Sequence, residues 1–140
     1  MISMTKKMLS IALLTATAFA SAQTKFPDGT IKLVVPFAAG GGVDNAARLI
    51  AKQMQSNLNT SIVVENKPGA SGTIGAKFVQ ASPADGQTLL FSASTHALTR
   101  LVIANPPYDP LTDFSYVARV GEAPLLMVIA PTLPQTKLKE

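Results

Sequence analysis

Three consecutive glycines, Gly40, Gly41 and Gly42, give the sequence its clearest chemical signal. They follow an apolar run at residues 31–37 and precede a helical pattern that begins at Val43. Glycines at such a junction leave main-chain N–H groups bare at the positive end of a helix dipole, which is a binding site for an anion. A tight turn without a ligand is the alternative, although one glycine would satisfy most turns. The sequence therefore predicts an anion site built from main-chain donors.

The familiar nucleotide-binding motifs do not fit this glycine run. A dinucleotide fingerprint requires Gly or Ala where Asn45 stands, and no Gly-Lys-Ser/Thr follows as in a phosphate-binding loop. Asp44, in the first turn of the predicted helix, leaves two interpretations open. It either caps the helix by accepting main-chain N–H bonds, or it accepts an N–H or O–H from a ligand.

Two further segments carry hydroxyl groups. The run Gly69-Ala70-Ser71-Gly72-Thr73 resembles the nucleophile elbow of hydrolases, but Thr73 stands where that motif requires glycine. Ser71 or Thr73 as a helix cap, with N–H groups free toward a ligand, is favoured instead. In the second segment, Ser92, Ser94 and Thr95 either donate to carboxylate oxygens of a ligand or are ordinary polar loop residues.

His96 is the only histidine, and the chain has no cysteine. One histidine forms a zinc site only if several carboxylates converge on it, and none cluster around it in sequence. As a catalytic base it would need a nucleophile and an orienting carboxylate. The sequence therefore predicts no catalytic residue, no metal and no cofactor. An exported α/β hydrolase that uses Ser71 or Ser94 with His96 remains the alternative from another functional class.

Short apolar runs alternate with helical patterns, which predicts an α/β fold with a mostly parallel sheet. Strands are predicted at residues 31–37, 61–65, 88–91, 116–120 and 125–130. Helices are predicted at residues 43–58, 73–80 and 97–103. In a parallel sheet, ligands bind beyond the carboxyl ends of the strands. The loops at residues 37–42, 66–72 and 92–96 fall there, and all three are rich in Gly, Ser or Thr.

The first 22 residues have the pattern of an export signal. Lys6 and Lys7 precede an apolar run, and Ala20-Ser21-Ala22 predicts cleavage after Ala22 and a periplasmic location. Cleavage leaves 118 of the 140 residues, and the net charge falls from +4 to +2 because both lysines leave. The remaining basic residues are scattered, so nucleic-acid binding is not indicated. A fold without cysteine suits a bacterial periplasm better than a disulfide scaffold.

Several short blocks in a fixed order make the chain resemble a known family. In chain order the blocks are Phe26-Pro27, Ile31 to Asp44 with Ala47-Arg48, Val63 to Gly72 with Ile74-Gly75-Ala76, Asp85-Gly86 with Thr88-Leu89-Leu90, and Pro107-Tyr108-Asp109-Pro110 with Asp113-Phe114. Over nearly all of residues 23–140 they resemble the periplasmic receptors of tripartite tricarboxylate transporters, the Bug-type solute-binding proteins.

The resemblance implies a two-lobed periplasmic-binding-protein fold, the Venus flytrap. It implies a monomeric receptor, not an enzyme, that captures a small carboxylate or related organic acid for membrane transporter subunits or for a sensor. Members of the family hold the carboxylate mainly through main-chain N–H groups, hydroxyls and bridging waters. Carried over by position, the ligand-binding candidates are Phe37, Ala38, Gly40, Gly41, Gly42, Asp44, Gly72, Thr73, Ser92, Ser94 and Thr95.

The chain departs from the family in length, since a member is more than twice as long. The resemblance assigns residues 23–123 to the N-terminal part of lobe one, and residues 124–140 to the crossover and the start of lobe two. The chain is therefore expected to be truncated before the second lobe. A truncated fragment without function is a further alternative, because closure around a ligand requires both lobes.

Overall fold

A computed structural model describes residues 26–124, 126, 128–130 and 132. Its elements in chain order are strand β1 (Ile31–Val35), helix α1 (Gly42–Leu58), strand β2 (Ile62–Asn66), helix α2 (Thr73–Gln80), strand β3 (Thr88–Leu90) and helix α3 (Thr99–Val102). The predicted signal peptide, residues 1–22, and its cleavage after Ala22 lie outside the described residues. No helix within the described part of the chain is long and apolar enough to cross a membrane.

The three strands form one parallel sheet with β1 in the centre and β2 and β3 on its two sides. Val35 at the end of β1 pairs with Asn66 at the end of β2, and Val34 pairs with Leu90 at the end of β3. The carboxyl ends of all three strands therefore meet at one edge of the sheet. This arrangement confirms the predicted α/β class with a parallel sheet.

Strand β1 is buried because strands cover both of its edges and helices cover both of its faces. Side chains alternate between the two faces along a strand. The core on the α1 side consists of Ile31, Leu33 and Val35 of β1, Ala47 and Ala51 of α1, and Ile62 of β2. The fully buried contact residues of α1 are alanines, which lets the helix lie close to the sheet, and Val43 and Met54 pack against the same core. The helix ends at Leu58, and Asn59 after it is left-handed with φ 48°.

Helix α2 packs against the other face, at the end of β1. A methyl group added at Gly75 would lie 2.9 Å from Cβ of Pro36 and 3.0 Å from the carbonyl oxygen of Lys67. Glycine is therefore required there for the helix to approach the strand. Pro36 is fully buried under this contact, so the start of α2 is fixed relative to the end of β1.

The predicted fourth strand, residues 116–120, is wrong. These residues form no strand, and Val117 is 85% exposed. In the predicted fifth strand, residues 126 and 128–130 form no strand either, while residues 125 and 127 lie outside the described part of the chain. A short apolar run needs a neighbouring strand and a face to cover before it forms a strand.

Smaller differences concern the ends of correctly predicted elements. Strand β1 ends at Val35, two residues before the predicted end, because Pro36 lacks the N–H group that would continue the ladder. Strand β2 continues one residue further than predicted and ends at Asn66. The short helix predicted at residues 97–103 is present but occupies only Thr99–Val102.

Candidate functional site

The predicted ligand-binding residues all follow the carboxyl end of a strand or begin the helix that comes next. The loop after β1 holds Phe37 to Gly41, the loop after β2 ends at Gly72, and the loop after β3 holds Ser92 to Thr95. Since β1 lies between the other two strands, its loop is the central one of the three. The structure therefore brings the three predicted loops to the same edge of the sheet.

The central loop delivers main-chain donors at the start of α1. Gly41 precedes the helix, and no residue in the described part of the chain accepts the N–H groups of Gly41, Gly42 or Val43. The two glycines are exposed. Unpaired N–H groups of a first helical turn carry the positive end of the helix dipole. The position matches the anion site predicted from the triple glycine.

The three glycines are not equivalent. Gly40 has φ 82°, a left-handed conformation that favours glycine. Gly41 is extended with φ −73°, and Gly42 is helical, so neither needs glycine for its backbone. Among the described residues, a methyl group added at Gly42 would meet no atom within 4 Å, and one at Gly41 would meet only the Ala38 carbonyl oxygen, at 3.5 Å. Because Gly41 and Gly42 have no side chain, their N–H groups are open to close approach from solvent. The turn itself requires glycine only at Gly40.

Asp44 is buried and 1% exposed, and protein groups occupy both of its carboxylate oxygens. Its Oδ2 accepts the Gly40 N–H at 2.8 Å and the Arg48 Nε–H at 2.9 Å, and its Oδ1 accepts from Nδ2 of Asn66 at 2.9 Å. These bonds, with Arg48 the largest cause, then Gly40 and Asn66, lower the pKa of Asp44 to about 2. The carboxylate is therefore ionised at any ordinary pH.

The helix-capping interpretation of Asp44 holds only in part. The carboxylate does not accept N–H groups of the turn that follows, and α1 has no side-chain cap at its start. It reaches back to Gly40 instead, as the acidic residue of a capping box reaches back toward the helix start. Its function in the fold is to tie the glycine loop to the helix.

Two partners of Asp44 were absent from the predicted site. Arg48 lies one turn further along α1, and this i, i+4 spacing to Asp44 was a usable signal. Asn66 was predicted to lie in a loop, whereas it is the last residue of β2. A polar residue at the carboxyl end of a predicted strand was its only sequence signal.

The loop after β2 supplies a second helix start. Gly69, Ala70, Ser71 and Gly72 all have positive φ, and Ala70 and Ser71 carry the strain of the left-handed region. The predicted cap at Ser71 or Thr73 is wrong, because Gly72 precedes α2 and no described side chain caps the helix. Thr73 is the first residue of α2, and its hydroxyl donates to the Ala70 carbonyl at 2.9 Å. Thr73 is buried, so its hydroxyl serves the turn and its main chain is what the site can use.

The loop after β3 is held by an aromatic cluster, which we define as His96, Tyr108, Phe114 and Tyr116. The His96 ring stacks on Tyr108 with centroids 5.4 Å apart and meets Phe114 edge-on at 4.7 Å. Nδ1 of His96 is 3.3 Å from the Tyr108 hydroxyl. Burial lowers the pKa of His96. The ring is therefore neutral at neutral pH.

The serine and threonine side chains of this loop are not part of the cluster. Ser94 and Thr95 are exposed and Ser92 is half-buried. None of the three hydroxyls has a hydrogen-bond partner within the described residues. They precede His96 directly, so packing of its ring fixes the end of the loop that presents them.

The arrangement does not support the hydrolase alternative. In the part of the chain that the structure describes, the imidazole of His96 bonds only to Tyr108, and no serine hydroxyl or carboxylate contacts it. The same residues contain no group of three or more His, Cys, Asp or Glu side chains that could hold a metal ion. What the site offers chemically is hydrogen-bond donors without a nucleophile.

The fold is that of periplasmic binding proteins. Periplasmic binding protein BugD superposes with a TM-score of 0.61 at 42% identity, over 64% of this chain and 30% of its own. MatC from Rhodopseudomonas palustris, solved with bound malate, gives a TM-score of 0.59 at 39% identity, over 64% of this chain and 31% of its own.

The chain belongs to the tripartite tricarboxylate transporter receptor family, whose profile matches residues 46–140. Protein BugT of Bordetella pertussis is 38% identical over 136 residues, which cover 94% of this chain and 42% of BugT. The chain thus spans less than half the length of this relative. The predicted resemblance is confirmed, and the family consists of transport receptors rather than enzymes.

Proposed function

We propose that this chain is part of a periplasmic receptor that captures a small carboxylate and presents it to a tripartite tricarboxylate-type transporter. The observation that carries the proposal is the set of N–H groups of Gly41, Gly42 and Val43 at the start of α1. A carboxylate at that point would accept bonds from donors that have no other acceptor among the described residues, in the favourable field of the helix.

The charge around the donors supports an anionic ligand. The nearest carboxylate, Asp44, is buried below the loop and paired with Arg48, so it repels an anion less than a free aspartate would. In this proposal Asp44 does not contact the ligand, because both of its oxygens already accept protein hydrogen bonds. MatC, which is similar to this chain in sequence and structure, was solved with bound malate.

The remaining candidates complete the proposed site from three sides. Phe37, Ala38 and Gly40 shape the central loop, Gly72 and Thr73 contribute the main chain at the start of α2, and the hydroxyls come from Ser92, Ser94 and Thr95. Since the hydroxyls have no protein partner in the described residues, they can rotate to donate to a second group of the ligand. A dicarboxylate would place one carboxylate at the N–H groups of the helix starts and the other at the hydroxyls of the loop after β3.

Location and partners follow from the same proposal. The export signal would be cleaved after Ala22, and residues 23–123 would form the N-terminal part of lobe one. Residues 124–140 would lead into lobe two. Ligand binding would then shift the lobes from open to closed, and the closed form would bind the transporter.

Isothermal titration calorimetry of the full chain against malate, succinate, adipate and citrate tests the proposal. Serine and glutamine serve as an amino acid and an amide. We expect saturable binding of at least one of the acids. The absence of binding across acids, amino acids and amides alike would overturn the proposal.

Gly42→Ala locates the site, with Gly121→Ala as its matched control. A methyl group at either position meets no protein atom within 4 Å, so neither change disturbs packing. We expect Gly42→Ala to weaken binding at least tenfold because the methyl group blocks access to the N–H groups, while Gly121→Ala leaves affinity unchanged. Equal affinities of the two variants would place the ligand elsewhere.

A further inference from the structure

The side-chain amide of Asn66 is fully occupied at the edge of the sheet. Its Nδ2 donates to the Phe37 carbonyl at 3.1 Å and to Oδ1 of Asp44 at 2.9 Å. Its Oδ1 accepts from the guanidinium of Arg48 at 3.1 Å. One amide thus contacts the start of the glycine loop, the carboxylate below the loop and the arginine that pairs with that carboxylate.

These contacts hold the loop after β1 at both ends. Asn66 holds the Phe37 carbonyl directly, and through Asp44 it holds the Gly40 N–H. The Gly40 N–H is therefore committed to the protein. The donors left for a ligand begin one residue later, at Gly41.

We infer that Asn66 is a positioning residue that sets the direction of the free N–H groups at the start of α1 without touching the ligand. The inference rests on the proposed function, because it assigns the way in which that same site is shaped. Asn66 lies opposite Val35 in the ladder, so the strand register fixes its side chain below the loop.

The position requires an amide. An aspartate at residue 66 has the same shape but cannot donate when ionised, and it would place a second carboxylate beside Asp44. Two adjacent carboxylates do not both ionise freely, so one of them takes up a proton as the pH falls. The protonated carboxyl again donates one hydrogen bond. Arg48 contacts the side-chain oxygens at both positions and favours ionised carboxylates there, so acid is expected to reverse the defect of Asn66→Asp only in part.

The test compares Asn66→Asp with Asn45→Asp by calorimetry in the full chain with malate, between pH 5 and 8. Asn45 lies in the first turn of α1, is exposed, and donates only to the Gly40 carbonyl, at 3.3 Å. The substitution Asn45→Asp therefore adds the same charge near the same N–H donors, but outside the hydrogen bonds that Asp44 makes. Affinities are expressed relative to wild type at each pH, which cancels ionisation of malate.

We expect Asn66→Asp to bind at least tenfold more weakly than wild type at pH 8 and to recover part of this loss by pH 5. Asn45→Asp is expected to lose less than threefold, with no recovery. Asn66→Ser, whose single hydroxyl replaces at most one of the two amide donors and adds no charge, is expected to be weak at every pH. Identical pH profiles for Asn66→Asp and Asn45→Asp would overturn the inference, since added charge alone would then explain the loss.

A readout without ligand separates this inference from the proposed function. The Gly40 amide proton is expected to be protected from hydrogen exchange in wild type and in Asn45→Asp, and to exchange faster in Asn66→Asp and Asn66→Ser. Unchanged Gly40 protection in both residue-66 variants would overturn the inference even if malate binds. Failure of wild type to bind any acid would instead overturn the proposed function, and Gly40 exchange would still decide the positioning role.

Discussion

Two corners of the same sheet edge are held together by different forces. At the corner between β1 and β2, the Phe37–Gly40 segment is fixed at both ends: the Gly40 N–H donates to Asp44, the Phe37 carbonyl accepts from Asn66, and Arg48 is the counter-ion of Asp44. At the corner after β3, the Ser92–Thr95 segment is fixed by the packing of the neighbouring aromatic cluster. The first corner is held by directed hydrogen bonds. The second is held by ring contacts, with the Tyr108 hydroxyl beside His96 as the polar contact of the two rings.

Because the two corners are held by different forces, they are sensitive to different substitutions and to different pH ranges. A hydrogen-bonded loop depends on backbone conformation and on the charge state of its carboxylate. A packed loop depends on side-chain volume and on keeping a titratable ring neutral. Changes in volume should therefore damage the β3 corner, changes in backbone should damage the glycine corner, and acid should affect the two corners at different pH values.

The largest expected effect is on the packed corner. Tyr108→Ala removes a ring that is 6% exposed and leaves His96 and Phe114 without their partner. We expect a loss of about 3–5 kcal/mol in the free energy of unfolding, as for other buried aromatic truncations. Urea denaturation followed by circular dichroism measures it.

Tyr116→Ala is the matched control, because this tyrosine is 62% exposed and lies at the rim of the same cluster. Its loss should stay within about 1 kcal/mol, the net value of the hydrogen bond from its hydroxyl to the Pro110 carbonyl. Equal losses for the two tyrosines would contradict packing as the force that holds this corner.

A smaller effect is expected at the glycine corner. Gly40→Ala places a side chain at φ 82°, which costs roughly 1–2 kcal/mol in the left-handed region. Gly41→Ala changes an extended residue that has no need of glycine. It is expected to leave stability unchanged or to raise it by up to about 1 kcal/mol, because alanine lowers the conformational entropy of the unfolded chain. The same denaturation experiment measures both. A Gly40→Ala variant as stable as wild type would show that the loop has an alternative conformation.

The smallest expected effect is the loss of unfolding free energy as the pH falls, which should begin at a higher pH for the β3 corner than for the glycine corner. Burial holds the pKa of His96 below its ordinary 6.5, so its contribution to stability is present above that pH and is lost as the pH falls below it. Hydrogen bonds hold the pKa of Asp44 at about 2, below its ordinary 3.8, so its contribution is lost only between about pH 4 and pH 2.

Unfolding free energies measured at steps from pH 7.5 to 2.5 check this order. His96→Gln should flatten the profile in the range directly below pH 6.5, and Asp44→Asn should flatten it below pH 4. A His96→Gln variant that keeps the wild-type slope directly below pH 6.5 would contradict the assignment of this loss to the ring.

Much of the fold could be predicted because it follows from local patterns. The apolar triplet Leu33-Val34-Val35 is buried on both faces, as expected for a central parallel strand. The strand order β2-β1-β3 could not be predicted, since pairing is decided by contacts distant in sequence. The strand-like run at residues 116–120 has no strand beside it in the described part of the chain, and a local pattern contains no information on that.

The candidate site divides in the same way. The free donors at Gly41 and Gly42 follow from residue types at a strand-to-helix junction, so the sequence was sufficient to predict them. The role of Asn66 arises from a ladder register that places it beside Asp44, 22 residues earlier in the chain. The commitment of the Gly40 N–H to Asp44 likewise becomes visible only when the loop is folded.

The start of α2 lies close enough to Pro36 that a methyl group at Gly72 would be 3.4 Å from its ring, so two helix starts flank the end of one strand. Their attraction for an acid comes from peptide dipoles, which have no dissociable proton. A lysine-based pocket loses its attraction when the amine is neutralised in alkali. A receptor that binds an acid at this corner would keep its affinity in alkali, and a change of pH would weaken binding mainly where the acid itself becomes protonated.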